Sequence, residues 1–240
     1  MTEGPAPRPP ALSVVVPTLD EAARIEGLLT GLAAQLGPDD EVVVVDGGSR
    51  DATRRRCEPF VRTGRVRWLE APRGRARQLN RGAAAAQGPW LLFLHADTTL
   101  SAGALAGARA AAGRPGVEWG YFPTRLDGEG AALRWIERGI DWRTRLFGAP
   151  SGDQGLLVRR DLFAALGGFP DVPFLEDLAL ADRLRRRRRP TRLPGTIATS
   201  PRRWLEGGIA RTVVRMWALR LAYRLGASPA RLARFYPPSP

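Results

Sequence analysis

Four short runs of β-branched and bulky apolar residues, LSVVVP at 12–17, EVVVVD at 41–46, VRWLE at 66–70 and WLLFLH at 90–95, limit the possible folds more than any other feature of the chain. Their length and composition predict buried strands. Between them lie stretches of helical period. Ile25, Leu28, Leu29, Leu32 and Leu36 fall on one face, and 52–60 and 75–86 are rich in helix formers. Strand and helix in alternation predict a mostly parallel sheet covered by helices.

With 240 residues and 44% hydrophobic content, the chain can fill the core of one large domain, so an intrinsically disordered chain is excluded as the main reading. The second half is less regular: a strand is expected within 117–126, a helix at 131–147, a short strand at 155–158 and a short helix at 161–166. A further helix at 176–188 runs into five arginines and is stopped by Pro190, and a last helix covers 209–225. The proline-rich stretch 1–11 is expected to be a disordered tail, 12–205 the main domain and 206–240 a helical extension.

Thirty-seven basic residues against 24 acidic ones give a net charge of +13, and every basic side chain is arginine. Arginine suits bidentate phosphate contacts, although the richness in Ala, Gly and Pro points equally to GC-biased coding. A single cysteine, Cys57, and a single histidine, His95, exclude an intramolecular disulfide and a Cys/His zinc site, so any metal must be held mainly by oxygen. No 18-residue apolar run and no signal-peptide stretch occurs, so a cytoplasmic chain is expected, with attachment to the inner face of the membrane as a variant.

In open α/β sheets ligands bind outside the carboxyl ends of the strands. That places 18–21, 46–51 and 95–98 around one crevice, where three acidic clusters converge. Thr18 and Glu21 have capping-box spacing, so the first helix is expected directly after the first strand. Asp46-Gly47-Gly48-Ser49-Arg50-Asp51 is either a backbone brought close to a ligand or a helix start capped by Ser49 or Asp51; neither the Rossmann nor the Walker spacing is present. Asp97, beside an apolar strand, is either a cap for a helix beginning near Ala102 or a carboxylate partnered by a hard cation, Mg²⁺ or Mn²⁺, with a nucleotide's diphosphate. In a helix starting at Glu176, Asp177 shares a face with Leu180, Ala181 and Leu184. This inward carboxylate near a positive helix end suits either an N-cap or a proton acceptor.

The runs SVVVPTLDEA, VVVVDGGSRDAT, GRARQLNRGA, FLHADT, GDQG, GGFP and FLEDLALADRLR come in an order and spacing that resembles family 2 glycosyltransferases with the nucleotide-diphospho-sugar transferase (GT-A) fold. The resemblance spans about 12–189, and is greatest to a bacterial glycosyltransferase-like subgroup with a histidine in the metal motif. It implies an α/β GT-A domain with a C-terminal helical extension. The implied reaction is inverting, metal-dependent and non-processive sugar transfer from a nucleotide-diphospho-sugar donor to an acceptor hydroxyl.

Carried over residue by residue, the resemblance implies that Pro17, Thr18, Asp20 and Glu21 frame the nucleotide base and ribose, with Asp46 and Asp51 as the base-binding acidic turn. Asp97 matches the last Asp of the D-x-D metal motif, whose first Asp is replaced here by His95, with Ala96 between them on the donor side. Asn80 matches a donor-side asparagine, but Leu79 stands where relatives carry a basic residue, so Arg73, Arg75 or Arg77 must supply the charge. Asp177 is implied as catalytic base and Glu176 as its positioning partner. Asp153 and Gln154 match an acceptor segment, the GGFP turn shapes the acceptor side, and Arg203 and Trp204 match part of the Q-x-x-R-W motif as leaving-group and acceptor contacts.

The tail helix carries two apolar strips, Val214, Trp217, Leu221 and Leu225 on one side and Ile209, Val213, Met216, Leu219 and Tyr223 on the other. One strip is expected in the core. The other is free for a partner subunit or a membrane headgroup region, unless the helix is wedged within its own domain. The acceptor class stays open between a lipid, a small metabolite and a carotenoid-like molecule. The rival reading is a catalytically inactive GT-A-like module binding nucleic acid or an anionic membrane surface; against nucleic acid, the arginines are scattered and aromatic platforms are absent. A nucleotidyltransferase would need a Lys-containing Gly-rich loop, and the chain has no lysine.

Overall fold

The computed structural model describes residues 11–199 and 208–236. The first half alternates as expected: β1 (Leu12–Thr18), α1 (Ile25–Ala33), β2 (Glu41–Asp46), α2 (Thr53–Val61), β3 (Val66–Glu70), α3 (Arg75–Ala85) and β4 (Trp90–Phe93). After these come β5 (Thr99–Leu100), α4 (Ala104–Ala112), β6 (Trp119–Tyr121), β7 (Thr124–Leu126), α5 (Ala131–Phe147), a 3₁₀ turn (Gly152–Gln154) and β8 (Leu156–Arg159). The remaining described elements are α6 (Arg160–Ala165), α7 (Glu176–Arg187), β9 (Thr191–Arg192), β10 (Ile197–Thr199), α8 (Ile209–Arg224) and α9 (Pro229–Ala233).

Seven strands form the central sheet in the order β3-β2-β1-β4-β8-β6-β9. β3, β2, β1 and β4 are parallel, β8 is antiparallel to both β4 and β6, and β9 is parallel to β6. Strand alternation divides the core between the two faces of the sheet. Val14 and Val16 of β1 pack with Ile25, Leu29 and Leu32 of α1 and Leu105 of α4. Val15, one residue out of phase, packs on the other face with Ala76, Leu79 and Ala83 of α3 and with Leu180 and Leu184 of α7.

Two local expectations are corrected. Thr18 is the last residue of β1 and donates to Val45 O and Asp46 Oδ1 across the sheet, so no capping box forms and α1 begins only at Ile25. Pairing with a neighbouring strand outcompeted the local cap. The stretch 117–126 is two strands, because β6 joins the central sheet while β7, after Pro123, joins a separate small sheet in the order β5-β10-β7. Proline has no N–H to continue the ladder, which makes this the natural crossing point.

Candidate active site

Strand register assembles the crevice. Thr18 lies opposite Asp46, and Asp46 opposite Glu70, so the turns after β1, β2 and β3 share one edge. Val15 pairs with Phe93, which brings His95 to Asp97 to the same edge. Because β8 runs antiparallel, its pairing of Leu156 with both Phe93 and Tyr121 delivers 151–155 there from the opposite direction.

On the β1–β3 side the acidic turn is closely tied. Asp46 is buried, its Oδ2 accepting the N–H groups of Gly48 (3.0 Å) and Ser49 (2.9 Å) and its Oδ1 the Ser49 hydroxyl (2.5 Å). Gly48 has φ +94°, a backbone shape that disfavours a side chain. Asp20 bridges to this turn by donating its N–H to Ser49 Oγ and accepting that of Arg50 at 2.7 Å, while Asp51 accepts the N–H groups of Ala22 and Thr53. Burial raises the Glu21 carboxyl above its ordinary range, Arg24 opposes this, and the charges of Asp97 and Asp51 add to the rise. An opening of about 260 Å³ lies here, lined by Asp46, Gly48, Ser49, Arg54, Trp68 and Glu70. Trp68 was not anticipated; its indole N–H is buried without an acceptor among the described residues.

On the other side stands the start of α7. Glu176 is buried and accepts from Arg75 Nη1 at 3.2 Å. Burial raises the Glu176 carboxyl, Arg75 counteracts this, and neighbouring Asp177 reinforces it. Asp177 is held by two backbone donors, Leu178 N–H to Oδ1 at 2.7 Å and Gly152 N–H to Oδ2 at 2.6 Å. Each oxygen keeps a lone pair for another proton or donor. His95 Nδ1 lies 3.4 Å from Asp153 Oδ1. Burial and then Arg75 push the imidazole below its ordinary pKa, against the opposing pull of the Asp153, Asp97 and Asp177 charges. The pocket between His95, Ser151, Gly152 and Asp177 is about 20 Å³, room for roughly one water. Beneath it Phe93, Phe163 and Phe169 pack with ring centroids 4.9–5.5 Å apart.

Among described non-glycine residues only Asp20 and Leu175 have positive φ, 56° and 61°. One lies in the β1 turn and the other directly precedes Glu176. Strained backbone of this kind is held in place only by surrounding packing and gathers at functional sites.

Several predicted residues have different immediate tasks. Asn80 is bound at both ends of its amide by Phe169, donating to its carbonyl at 2.8 Å and accepting its N–H at 2.9 Å, so its side chain fixes the GGFP turn. Gln154, expected to face an acceptor, is fully buried instead; its Oε1 accepts from Thr144 Oγ1 and from Ser151 N–H, organising the turn from within. The methyl group of Ala96 belongs to the core, which leaves only its backbone for a donor. Pro17 is half-buried at the end of β1. Arg203 and Trp204 lie outside the described residues. No three His, Cys, Asp or Glu side chains among the described residues gather to hold a metal. The arginine run at 185–189 lies at the end of α7, with Arg185 on Asp182 and Arg189 donating to Leu146 O.

Two arginines were missed. Arg143 of α5 is buried and donates to Ala149 O at 3.0 Å; burial, with the nearby charge of Arg220 of α8, brings its pKa down to about 9. Its signal was legible, since Arg143 is seven residues from Ile136 and so falls on the apolar face of α5. Arg220 approaches Asp177 and Asp153 from α8, a helix far away in sequence, and no local pattern announces that.

A mostly parallel sheet with acidic turns on its carboxyl edge, and the Glu176–Asp177 carboxylate pair at a helix start opposite, defines a GT-A-type glycosyltransferase domain. Solved structures agree on the fold. The mannosyltransferase PcManGT from Pyrobaculum calidifontis, in complex with GDP-Man and Mn²⁺, superposes with a TM-score of 0.64 at 22% identity, over 91% of this chain and 63% of that one. S. aureus TarS 1-349 in complex with UDP gives 0.63 at 21% identity, over 92% and 68%. The Glycosyl transferase family 2 model matches residues 13–145, more than half of the chain, and the chain belongs to that family. A PGL/p-HBAD biosynthesis glycosyltransferase of Mycobacterium bovis is 38% identical over 94 residues, 38% of this chain and 37% of that protein. The uncharacterized protein MT1568 of Mycobacterium tuberculosis is 30% identical over 133 residues, 55% of this chain and 41% of that protein. The chain thus spans roughly two fifths of the length of these relatives.

Proposed function

We propose that the protein transfers a sugar from a nucleotide-diphospho-sugar to an acceptor hydroxyl in one inverting, non-processive displacement. The observation that carries this reading is the juxtaposition of Asp177, anchored by Gly152 and Leu178 N–H groups, with the acidic carboxyl edge of the sheet across His95. Family membership supports it, as does the binding of GDP-Man by PcManGT.

In this reading the opening beside Asp46 and Trp68 takes the base, and the β1 turn, with Asp20 and Glu21, takes the ribose. Asp177 takes the proton of the acceptor hydroxyl as its oxygen bonds to the anomeric carbon. The bond from that carbon to the diphosphate breaks on the opposite face, and the nucleoside diphosphate departs. Arg75, held by Glu176 and about half exposed, turns its free edge toward charge gathering on the leaving group. Glu176 keeps Arg75 in place and takes no proton from the acceptor.

The donor set suits a hard divalent ion that arrives with the donor. Asp97 offers one carboxylate, and Mg²⁺ or Mn²⁺ commonly uses one or two carboxylates plus substrate phosphates. Such an ion would supply Lewis-acid stabilisation of the departing diphosphate. His95, neutral and turned to Asp153, orients the carboxylates around it. Asp177→Asn is expected to abolish transfer while leaving nucleoside-diphosphate affinity, read by calorimetry, nearly unchanged. Loss of donor affinity in parallel with activity would give Asp177 a structural role instead.

A further inference from the structure

Every large hydrophobic side chain that is exposed among the described residues lies on α5, on α8 with its C-cap Leu225, or just after α9. They are Trp135, Trp142 and Leu146, then Val214, Trp217, Leu221 and Leu225, and finally Phe235. On each long helix they make a single row. Trp135, Trp142 and Leu146 are spaced i, i+7, i+11, and Val214, Trp217, Leu221 and Leu225 are spaced i, i+3, i+7, i+11. The opposite side of α8 is the inward one: Thr212 and Leu219 are buried, and Leu219 joins Ala149, Leu175 and Leu178 around the start of α7. α8 also lies alongside α5, with Ile209 among Leu133, Ile136 and Ile140 and with Arg224 over the Phe147 ring at 5.1 Å. A helix already packed within its own domain therefore keeps a second apolar row in water, which globular proteins seldom tolerate in such concentration.

Charge selects the occupant. From 208 to 240 the sequence has six arginines and no acidic residue. Arg211 and Arg224 are exposed and border the Val214–Leu225 row on either side, since 100° per residue puts them just outside its arc. A second copy of the α8–α9 surface would bring arginine against arginine with no carboxylate from either of these two helices between them. A bilayer with anionic headgroups answers both features. Its acyl boundary accepts Trp and Leu, and its phosphates accept guanidinium groups.

We propose that α8 and α9, extended by the exposed row of α5, form a docking surface for an anionic lipid bilayer, with α8 lying in the interface plane. Because the inner side of α8 touches Ala149, Leu175 and Leu178, docking holds the Asp177 pocket beside the membrane. This extends the proposed transfer reaction by naming a membrane-borne hydroxyl as its acceptor class, while the docking itself is measurable without any turnover.

The test uses the full chain and two vesicle preparations, phosphatidylcholine alone and equal parts phosphatidylcholine and phosphatidylglycerol. Sedimentation is expected to carry the protein down with the anionic vesicles only, with a blue shift of tryptophan emission, and less so as salt rises. The variant Trp217→Ser/Leu221→Ser is expected to bind at least about tenfold more weakly, because it loses the insertion of two large side chains. Its melting temperature should stay within a few degrees of wild type, since about half or more of each side chain is exposed. A wild-type protein that stays in the supernatant with anionic vesicles overturns the proposal. So does a variant that binds undiminished, or light scattering that shows a dimer which the double substitution converts to monomer. Loss of vesicle binding with donor binding intact would refute docking alone, whereas vesicle binding with no affinity for any nucleotide-sugar would refute the transfer reading alone.

Discussion

The Arg75–Glu176 pair offers the sharpest test of the catalytic corner. Glu176 has a side chain only 4% exposed, while that of Arg75 is 47% exposed. Removing one partner of a fully buried pair costs about 3–5 kcal/mol, because a charge is left desolvated. Water reaches Arg75, so screening reduces this to about 2 kcal/mol for Arg75→Gln at neutral pH. In a domain of this size that is roughly a 4–8 °C fall in melting temperature. The loss must depend on pH. The folded-state pKa of Glu176 is already raised by burial, and without the lowering effect of Arg75 it rises further. A carboxyl with a raised folded pKa weighs nothing against folding below its unfolded value, about pH 4.3, and weighs progressively more until the pH passes the folded value. Arg75→Gln should therefore be nearly silent in melts at the acid end and show its full penalty at pH 8. Adding Glu176→Gln should recover most of the loss at pH 8, since no buried charge is left. Equal destabilisation at both pH values, or a double variant no better than the single one, would refute the account of this pair.

Other substitutions separate roles within the site. Asp97→Ala is expected to abolish the part of donor affinity that depends on Mn²⁺, and calorimetry showing the same affinity with and without the ion would count against Asp97 as its protein ligand. Asn80→Ala strands the Phe169 N–H and carbonyl, and should cost about 1–3 kcal/mol in denaturant titration. Gly152→Ala would place a methyl group 2.9 Å from His95 Nε2 and 3.3 Å from Asp177 Oδ2, so kcat should fall by at least about tenfold with little change in donor KM. An unaltered kcat would mean that 151–155 moves freely away from the base.

The Asp46 turn shows how far local pattern reaches. A run of four valines followed by Asp-Gly-Gly already implies a buried strand with a carboxylate at its end, and the structure has both. The same pattern left open whether the carboxylate caps a helix or meets a ligand, because a cap and a binding turn use similar residues. Thr18 shows where pattern misleads: its capping spacing with Glu21 is real, yet the β2 edge offered the hydroxyl a better partner. Gln154 misled for the same reason, since a glutamine beside an exposed aspartate reads as a surface residue until Thr144, ten positions earlier, claims its carbonyl oxygen.

Period, strand composition and turn chemistry are properties of neighbours along the chain, so the four parallel strands, the helices between them and the acidic carboxyl edge are determined by the sequence alone. What lies against what is a property of residues far apart in sequence. Tertiary packing alone decided that Arg75 meets Glu176 across 101 positions, that Gly152 donates to Asp177, and that α8 turns Leu219 toward the site and leaves Trp217 in water. The physical reason is that burial is a contest settled by the whole fold: two apolar rows on one helix are equal in sequence, and only the surface available to receive them determines which one is covered.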